Sequence, residues 1–342
     1  MTFLTTAILL VIIFVITLTV AAYSTYGERK VAAFLQDRYG PNRAGPFGLL
    51  QPLADGVKMF MKEDFVPEKA NRTLFFLGPA VAMTVSLITG VIIPWGGTLT
   101  IGDISISLQG MNPEVGILFV FAMTGIGVYG IMLGGWGSNN KYSLLGAIRA
   151  ASQMVSYELA MGLSIVALVM MTGTLSMGGI VEYQAEHGWN ILYQPLGFLI
   201  FITCAFAETN RSPFDMPECE TELVGGYHTE FSSMKLGFYL FSEYVNMFIS
   251  SAVMATLYFG AYHVPGLAST GWNPNVITLI GVAAMFAKTF FFIFLFMWVR
   301  WTLPRFRFDQ LLNLGWKGLI PLAILNILIT AGIMLAQGQI AL

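Results

Sequence analysis

The chain has 342 residues, 56% of them hydrophobic, a mean hydropathy of +0.71, and only 11% charged residues summing to a formal net charge of −2. No soluble core needs so much apolar sequence, and a balance this close to neutral offers no basis for nucleic-acid binding. The composition describes a single all-α integral membrane domain over residues 1–342.

A membrane span needs about 20 apolar residues. Eight segments meet that length, at 3–24, 73–94, 115–136, 150–171, 189–208, 236–262, 276–299 and 318–338. Continuous apolar runs suit helices, which close their own backbone hydrogen bonds, whereas outer-membrane strands alternate over about ten residues. The first run has no charge before Glu28 and therefore lacks the basic start of a cleaved signal peptide, so it reads as a retained helix. The connections near 27–72, 137–149, 209–235 and 300–317 hold 16 of the 17 Lys and Arg residues, and the alternate connections hold none. By the positive-inside rule those four loops are cytoplasmic and both termini periplasmic.

In the first of these loops Leu49, Leu50, Leu53, Val57, Phe60 and Met61 share one helical face, with Gln51, Asp55, Lys58 and Lys62 opposite. That pattern predicts an amphipathic surface helix, which either anchors at the interface or covers the ends of neighbouring spans. Just before it, Arg38 to Gly48 contains two Gly-Pro steps that oppose regular helix. Its Arg38 and Arg43 suit an anionic or carbonyl ligand, a partner subunit or a lipid headgroup. The third loop is the most concentrated feature of the chain. Between Ala207 and Phe231 it gathers Glu208, Asp215, Glu218, Glu220, Glu222 and Glu230 around Arg211 and His228. In the fourth, Arg300 to Asp309 interleaves arginine with aromatics, as at an interface or at a helix end where the charged heads snorkel.

Glu158, Glu243 and Lys288 fall inside predicted helices, and Glu208 ends the fifth. Ionisable groups at such depth are costly and are functional candidates by default. At 1.5 Å per residue Glu158 and Glu243 lie roughly 10–15 Å, and Lys288 roughly 18 Å, from the cytoplasmic helix ends. Such a descending series has the makings of a proton relay, although pairing of these groups between helices would also account for them. Cys204 and Cys219 show no partner pattern and the three histidines are scattered, so no zinc, iron-sulfur or haem spacing exists and no metal is expected on this chain. No phosphate-cradling glycine loop is present either.

Five motifs in order resemble one known family: Glu28-Arg29-Lys30; Gly40-Pro-Asn-Arg-Ala-Gly-Pro-Phe-Gly-Leu-Leu-Gln-Pro-Leu-Ala-Asp-Gly-Val-Lys58; Gly146-Ala-Ile-Arg-Ala-Ala-Ser-Gln-Met-Val-Ser-Tyr-Glu158; Ala207-Glu-Thr-Asn-Arg-Ser-Pro-Phe-Asp215; and Pro304-Arg-Phe-Arg-Phe-Asp-Gln310. The chain resembles, over essentially its whole length, the H-subunit family of bacterial proton-pumping NADH:quinone oxidoreductase, respiratory complex I.

The resemblance implies a non-autonomous enzyme subunit in the bacterial inner membrane, one that helps form the quinone-reduction chamber and couples its chemistry to proton pumping. It implies quinone as substrate, no cofactor on this chain, and FMN and iron-sulfur clusters in partners. Those partners are the hydrophilic iron-sulfur and quinone-site subunits of the peripheral arm, and the small and antiporter-like subunits of the membrane arm, all amid lipid. Arg29, Arg38, Asp55, Arg211 and Asp215 match quinone-channel positions. Glu158, Glu208, Glu218, Glu220, Glu222 and Glu243 match an acidic coupling path, and Lys288 also sits at a family-like position. The membrane anchor of an energy-converting hydrogenase is the nearest alternative. A free-standing ion transporter is more distant, since no convincing internal repeat or pair of interrupted helices is evident.

Overall fold

A computed structural model describes residues 3–102, 104–217, 220–267 and 271–337. The protein is a mostly helical membrane domain. Among the described residues seven helical stretches are long and apolar enough to span: α1 (Phe3–Leu35), α3 (Arg72–Thr89), α4 (Gly116–Gly137), α5 (Lys141–Thr172), α10 (Ser233–Phe259), α11 (Pro274–Thr302), and a last one in which α12 (Phe308–Asn313) continues through a π-helical turn into α13 (Ile320–Ala336). Shorter helices are α2 (Gln51–Met61), α6 (Met177–His187), α7 (Asn190–Tyr193), α8 (Pro195–Glu208) and α9 (Glu220–Leu223).

The fifth expected span, 189–208, is not one helix. Gln194 leaves helical geometry at φ −128° and ψ 52°, separating α7 from α8. The cause is Pro195, which has no N–H to donate and disfavours helical geometry in the residue before it. The 14 residues of α8 reach about 21 Å, short of the roughly 30 Å hydrocarbon core. Two other boundaries move outward. Most of 137–149 is the start of α5, whose Asn140 cap accepts the Tyr142 N–H at 2.8 Å, and the last helix begins at Phe308. Polar helix ends that project from a membrane look like loops when hydropathy alone is read.

Contacts tie the four basic connections to one another. Lys235 pairs with Asp64 at 2.6 Å, Arg149 with Glu222 at 2.6 Å, Arg211 with Glu28 at 2.5 Å and Arg305 with Asp215 at 2.6 Å, and the Asn71 N–H donates to Gly137 O at 2.9 Å. The opposite ends are tied in the same way: the Ile117 N–H donates to Leu175 O, and Asn275 brackets Thr100 with bonds of 2.9 and 2.7 Å. Thr100 belongs to the one small hairpin of the described residues, β1 (Thr98–Ile101) antiparallel to β2 (Ile104–Ser107), in a segment where the sequence carries no motif.

Helix α2 buries none of its residues, and its Leu53, Phe60 and Met61 are exposed as the amphipathic pattern requires. Its polar face is held by Asp55, 2.8 Å from Arg29 at the end of α1.

Close packing of α3, α4 and α10 rests on glycine. A Cβ on Gly78 would lie 2.8 Å from the Gly134 backbone, and one on Gly130 would lie 2.9 Å from Ala82 N. Small residues of this kind let membrane helices approach. Tyr239 of α10 uses the gap, donating to Gly130 O at 3.0 Å, and a Cβ on Gly134 would run into its hydroxyl. Gly134→Val is therefore expected to cost about 1–3 kcal/mol or more by overpacking. The loss would appear as a lower melting temperature and poorer yield of the assembled complex. Gly162→Ala, whose added methyl meets nothing within 4 Å in this chain, is expected to leave both unchanged.

Candidate functional site

The charged residues collect where α1, α8, α10 and α11 meet on the basic side. Arg211 follows the end of α8 and is only 2% exposed. Its Nη1 lies 2.5 Å from Glu28 Oε2, while Arg300 Nη1 lies 2.7 Å from Glu28 Oε1. One buried carboxylate from α1 is thus shared by two guanidinium groups. The Arg211 guanidinium also sits 4.1 Å from the centre of the Tyr244 ring, a cation–π contact strengthened by exclusion of water. Burial works against its charge, but Glu28, with Tyr244 and Glu243 nearby, more than offsets this and holds its pKa above the ordinary arginine value.

The loop bearing Arg211 is fixed from two directions. Gln153 of α5, fully buried, donates to Ala207 O at 2.8 Å and to Phe214 O at 2.7 Å. From the other side Arg305 pairs with buried Asp215 at 2.6 Å, the Phe306 N–H donates to Pro213 O at 3.2 Å, and the Phe214 and Phe306 rings meet at 5.4 Å. The linker between α11 and α12 thereby closes over the 211–215 segment.

Behind this loop a narrow cavity of about 70 Å³ runs between α3, α4, α5, α8 and α10. That is room for a short file of water molecules. Glu208 and Glu243 both line it, together with Thr124, Asn210, Tyr227 and Asn246, and toward the opposite side its wall turns apolar at Ile117, Met177 and Leu257. Tyr227 donates to Glu243 Oε1 at 3.2 Å. Glu208 Oε1 is buried without a hydrogen-bond partner, and Glu158 is near enough to act on it electrostatically. Glu158 sits half-buried at the seam of α4 and α5, where Gly125 makes room: a Cβ there would lie 3.2 Å from Glu158 Oε1. Two carboxylates facing one small polar space, with a third beside them, can hand a proton along and can respond to a charge change at Arg211.

The structure thus brings together Arg211, Asp215, Glu208, Glu243 and Glu158. Arg29 and Asp55 pair with each other at the corner of α1 and α2, partly exposed, with Lys58 3.8 Å from Asp55. Arg38 is exposed and donates to Gln36 at 2.7 Å, apart from the cluster. Glu222 pairs with Arg149, and Glu230 accepts from Asn140 at 2.5 Å, at the rim. Glu218 lies outside the described residues; Glu220 opens α9, and its side chain is outside the description. Lys288 is placed apart from the carboxylates, with Nζ 2.7–2.9 Å from the carbonyls of Phe259, Ala261 and His263. Among the described residues no group of three or more His, Cys, Asp or Glu side chains is placed to hold a metal ion.

The sequence leaves Glu28 without a place in the site, and offers Arg300 and Arg305 as an aromatic-flanked interface or as snorkelling charges at a helix end. A signal exists for Glu28, the first charge after the apolar run at 3–24, in a stretch that continues as helix to Leu35. Nothing in the sequence points to Gln153 as the peg under the loop.

A family model described as NADH dehydrogenase matches residues 7–331. The chain is 63% identical over 328 residues to the first H-type subunit of NADH-quinone oxidoreductase from Cytophaga hutchinsonii, covering 96% of each chain. It is 59% identical over 331 residues to the H-type subunit from Flavobacterium johnsoniae, covering 96% of this chain and 95% of that one. NADH-quinone oxidoreductase subunit 8 of Rhodothermus marinus is 47% identical over 336 residues, 95% of this chain and 96% of that one. Neither a hydrogenase anchor nor a free-standing transporter finds support in these relatives. With five ordered motifs, a membrane-helical fold and near-complete coverage agreeing, the chain belongs to the H-subunit family of NADH-quinone oxidoreductase, as a membrane subunit of respiratory complex I.

Proposed function

We infer that this subunit forms part of the wall of the quinone-reduction chamber and passes the consequence of that reduction into the acid-lined cavity behind it. The observation that carries the reading is Glu28, shared by Arg211 and Arg300 beside a water-sized space lined by Glu208 and Glu243. Reducing a quinone consumes protons and generates transient negative charge. A guanidinium already committed to a carboxylate responds to a new anion by redistributing its hydrogen bonds, and the cost or gain is felt by the carboxylates that share its field. Arg29, Arg38, Asp55, Arg211 and Asp215 are the quinone-facing group in this reading. Glu158, Glu208 and Glu243 carry the coupling, with Glu218, Glu220 and Glu222 at its entrance.

The basic side faces the cytoplasm by its Lys and Arg content, both termini face the periplasm, and the membrane is the bacterial inner membrane. FMN and iron-sulfur clusters belong to partner subunits of the peripheral arm, and small and antiporter-like membrane subunits receive the coupling signal. A quinone analogue with a photoreactive headgroup, applied to the assembled complex, is expected to label this chain within 28–60 or 211–215, with excess quinone suppressing the label. Labelling confined to other subunits, or to lipid-facing helix positions, would remove the chamber role.

A further inference from the structure

Helix α10 carries Glu243 and ends at Phe259, followed by Gly260 and Ala261 in left-handed geometry at φ 70° and 44°. The last carbonyls of a helix have no partner within it, and burying them unsatisfied is costly. Here side chains from three other elements take them up. Gln184 of α6 donates to Thr256 O and Asn190 of α7 to Leu257 O, each at 2.8 Å, and both side chains are fully buried. Lys288 of α11 takes the Phe259 carbonyl at the helix end and two carbonyls of the turn that follows, donating to Phe259 O and Ala261 O at 2.7 Å and to His263 O at 2.9 Å. An ammonium has three N–H donors, and three carbonyls receive them. The negative end of the α10 dipole favours a cation there, and the Trp189 ring adds a face 5.3 Å away.

We propose that Lys288 is a positioning residue, a cation engaged by three backbone carbonyls that caps α10 and sets the height of Glu243, and that it does not carry protons. Counting along α10, Phe259 is 16 residues from Glu243, about 24 Å, too far for direct exchange. With its donors filled by carbonyls, the ammonium has none left to enter a proton wire. His263, next to it, is kept below the ordinary histidine range by burial and then by this ammonium.

The inference rests on the coupling role given above to Glu243, and the two fail differently: a pumping E243Q variant removes that role, whereas the Lys288 variants below test the cap. Arginine stays protonated at any working pH and still donates to carbonyls. In the assembled complex in inverted vesicles, K288R is expected to keep quinone-linked turnover within about threefold and an unchanged proton-to-electron ratio. K288A is expected to lose at least about tenfold in turnover, with recovery in millimolar n-propylammonium, which refills the carbonyl nest. A K288R complex that turns over without pumping would make Lys288 a carrier and overturn the proposal. So would a K288M complex with normal turnover and pumping, since no cap would then be needed.

Discussion

Arg211→Ala is expected to lower NADH-to-quinone electron transfer at least about tenfold, a loss of roughly 1.4 kcal/mol or more in barrier terms. NADH oxidation by a water-soluble acceptor and the amount of assembled complex should stay near parental values. Removing the guanidinium leaves Glu28, 5% exposed, paired with Arg300 alone at 2.7 Å, so the buried carboxylate keeps a counter-charge while the bridge to the 211–215 loop is lost. The Gln153 bonds and the Arg305–Asp215 pair still hold the loop, so the defect should concentrate at the site and not in the fold. Arg211→Lys should retain more activity than alanine yet less than arginine, because a point charge cannot bridge Glu28 and stack on Tyr244 together. Turnover in Arg211→Ala membranes equal to the parent would show that the buried pair has no part in quinone chemistry.

The long apolar helices were legible because hydrocarbon imposes their length: about 20 apolar residues mark a candidate crossing, and seven such stretches fold as helices among the described residues. The acidic loop after α8 was legible for the related reason that six carboxylates in so apolar a chain must serve some purpose. The family resemblance then named particular residues, and several of them do converge. What stayed hidden was pairing across long separations. Glu28 and Arg211 are 183 residues apart, and no local pattern says that the end of α1 lies against the turn after α8. The partners of Lys288 were hidden for the same reason: its depth along its helix was readable, but its bonds to the carbonyls of Phe259, Ala261 and His263 lie 25 to 29 residues away in sequence. The broken fifth segment was partly readable, since Pro195 stands in plain view, but continuous hydropathy outweighed it.

Glu208→Gln is expected to depress quinone-linked turnover about tenfold or more, with proton translocation falling at least in proportion. The substitution keeps the side-chain volume, so the 70 Å³ cavity and the assembly should survive it. What changes is protonation chemistry. Glu208 terminates α8 with one oxygen buried and partnerless, shares its cavity with Glu243, and feels Glu158 across the α4–α5 seam. Burial first and then the neighbouring Glu158 both disfavour negative charge on Glu208, so its protonation responds to small changes of field in the cavity it shares with Glu243. Glutamine removes one of the sites at which a proton can reside and places an amide that cannot release one. Glu208→Asp, which keeps the acid but retracts it by one methylene, should fall between the two. A pH-sensitive dye in inverted vesicles, read against NADH consumption in the same sample, gives both quantities at once. Parental pumping by the Glu208→Gln complex would take the cavity out of the coupling path and leave Glu208 as a packing residue at the end of a short helix.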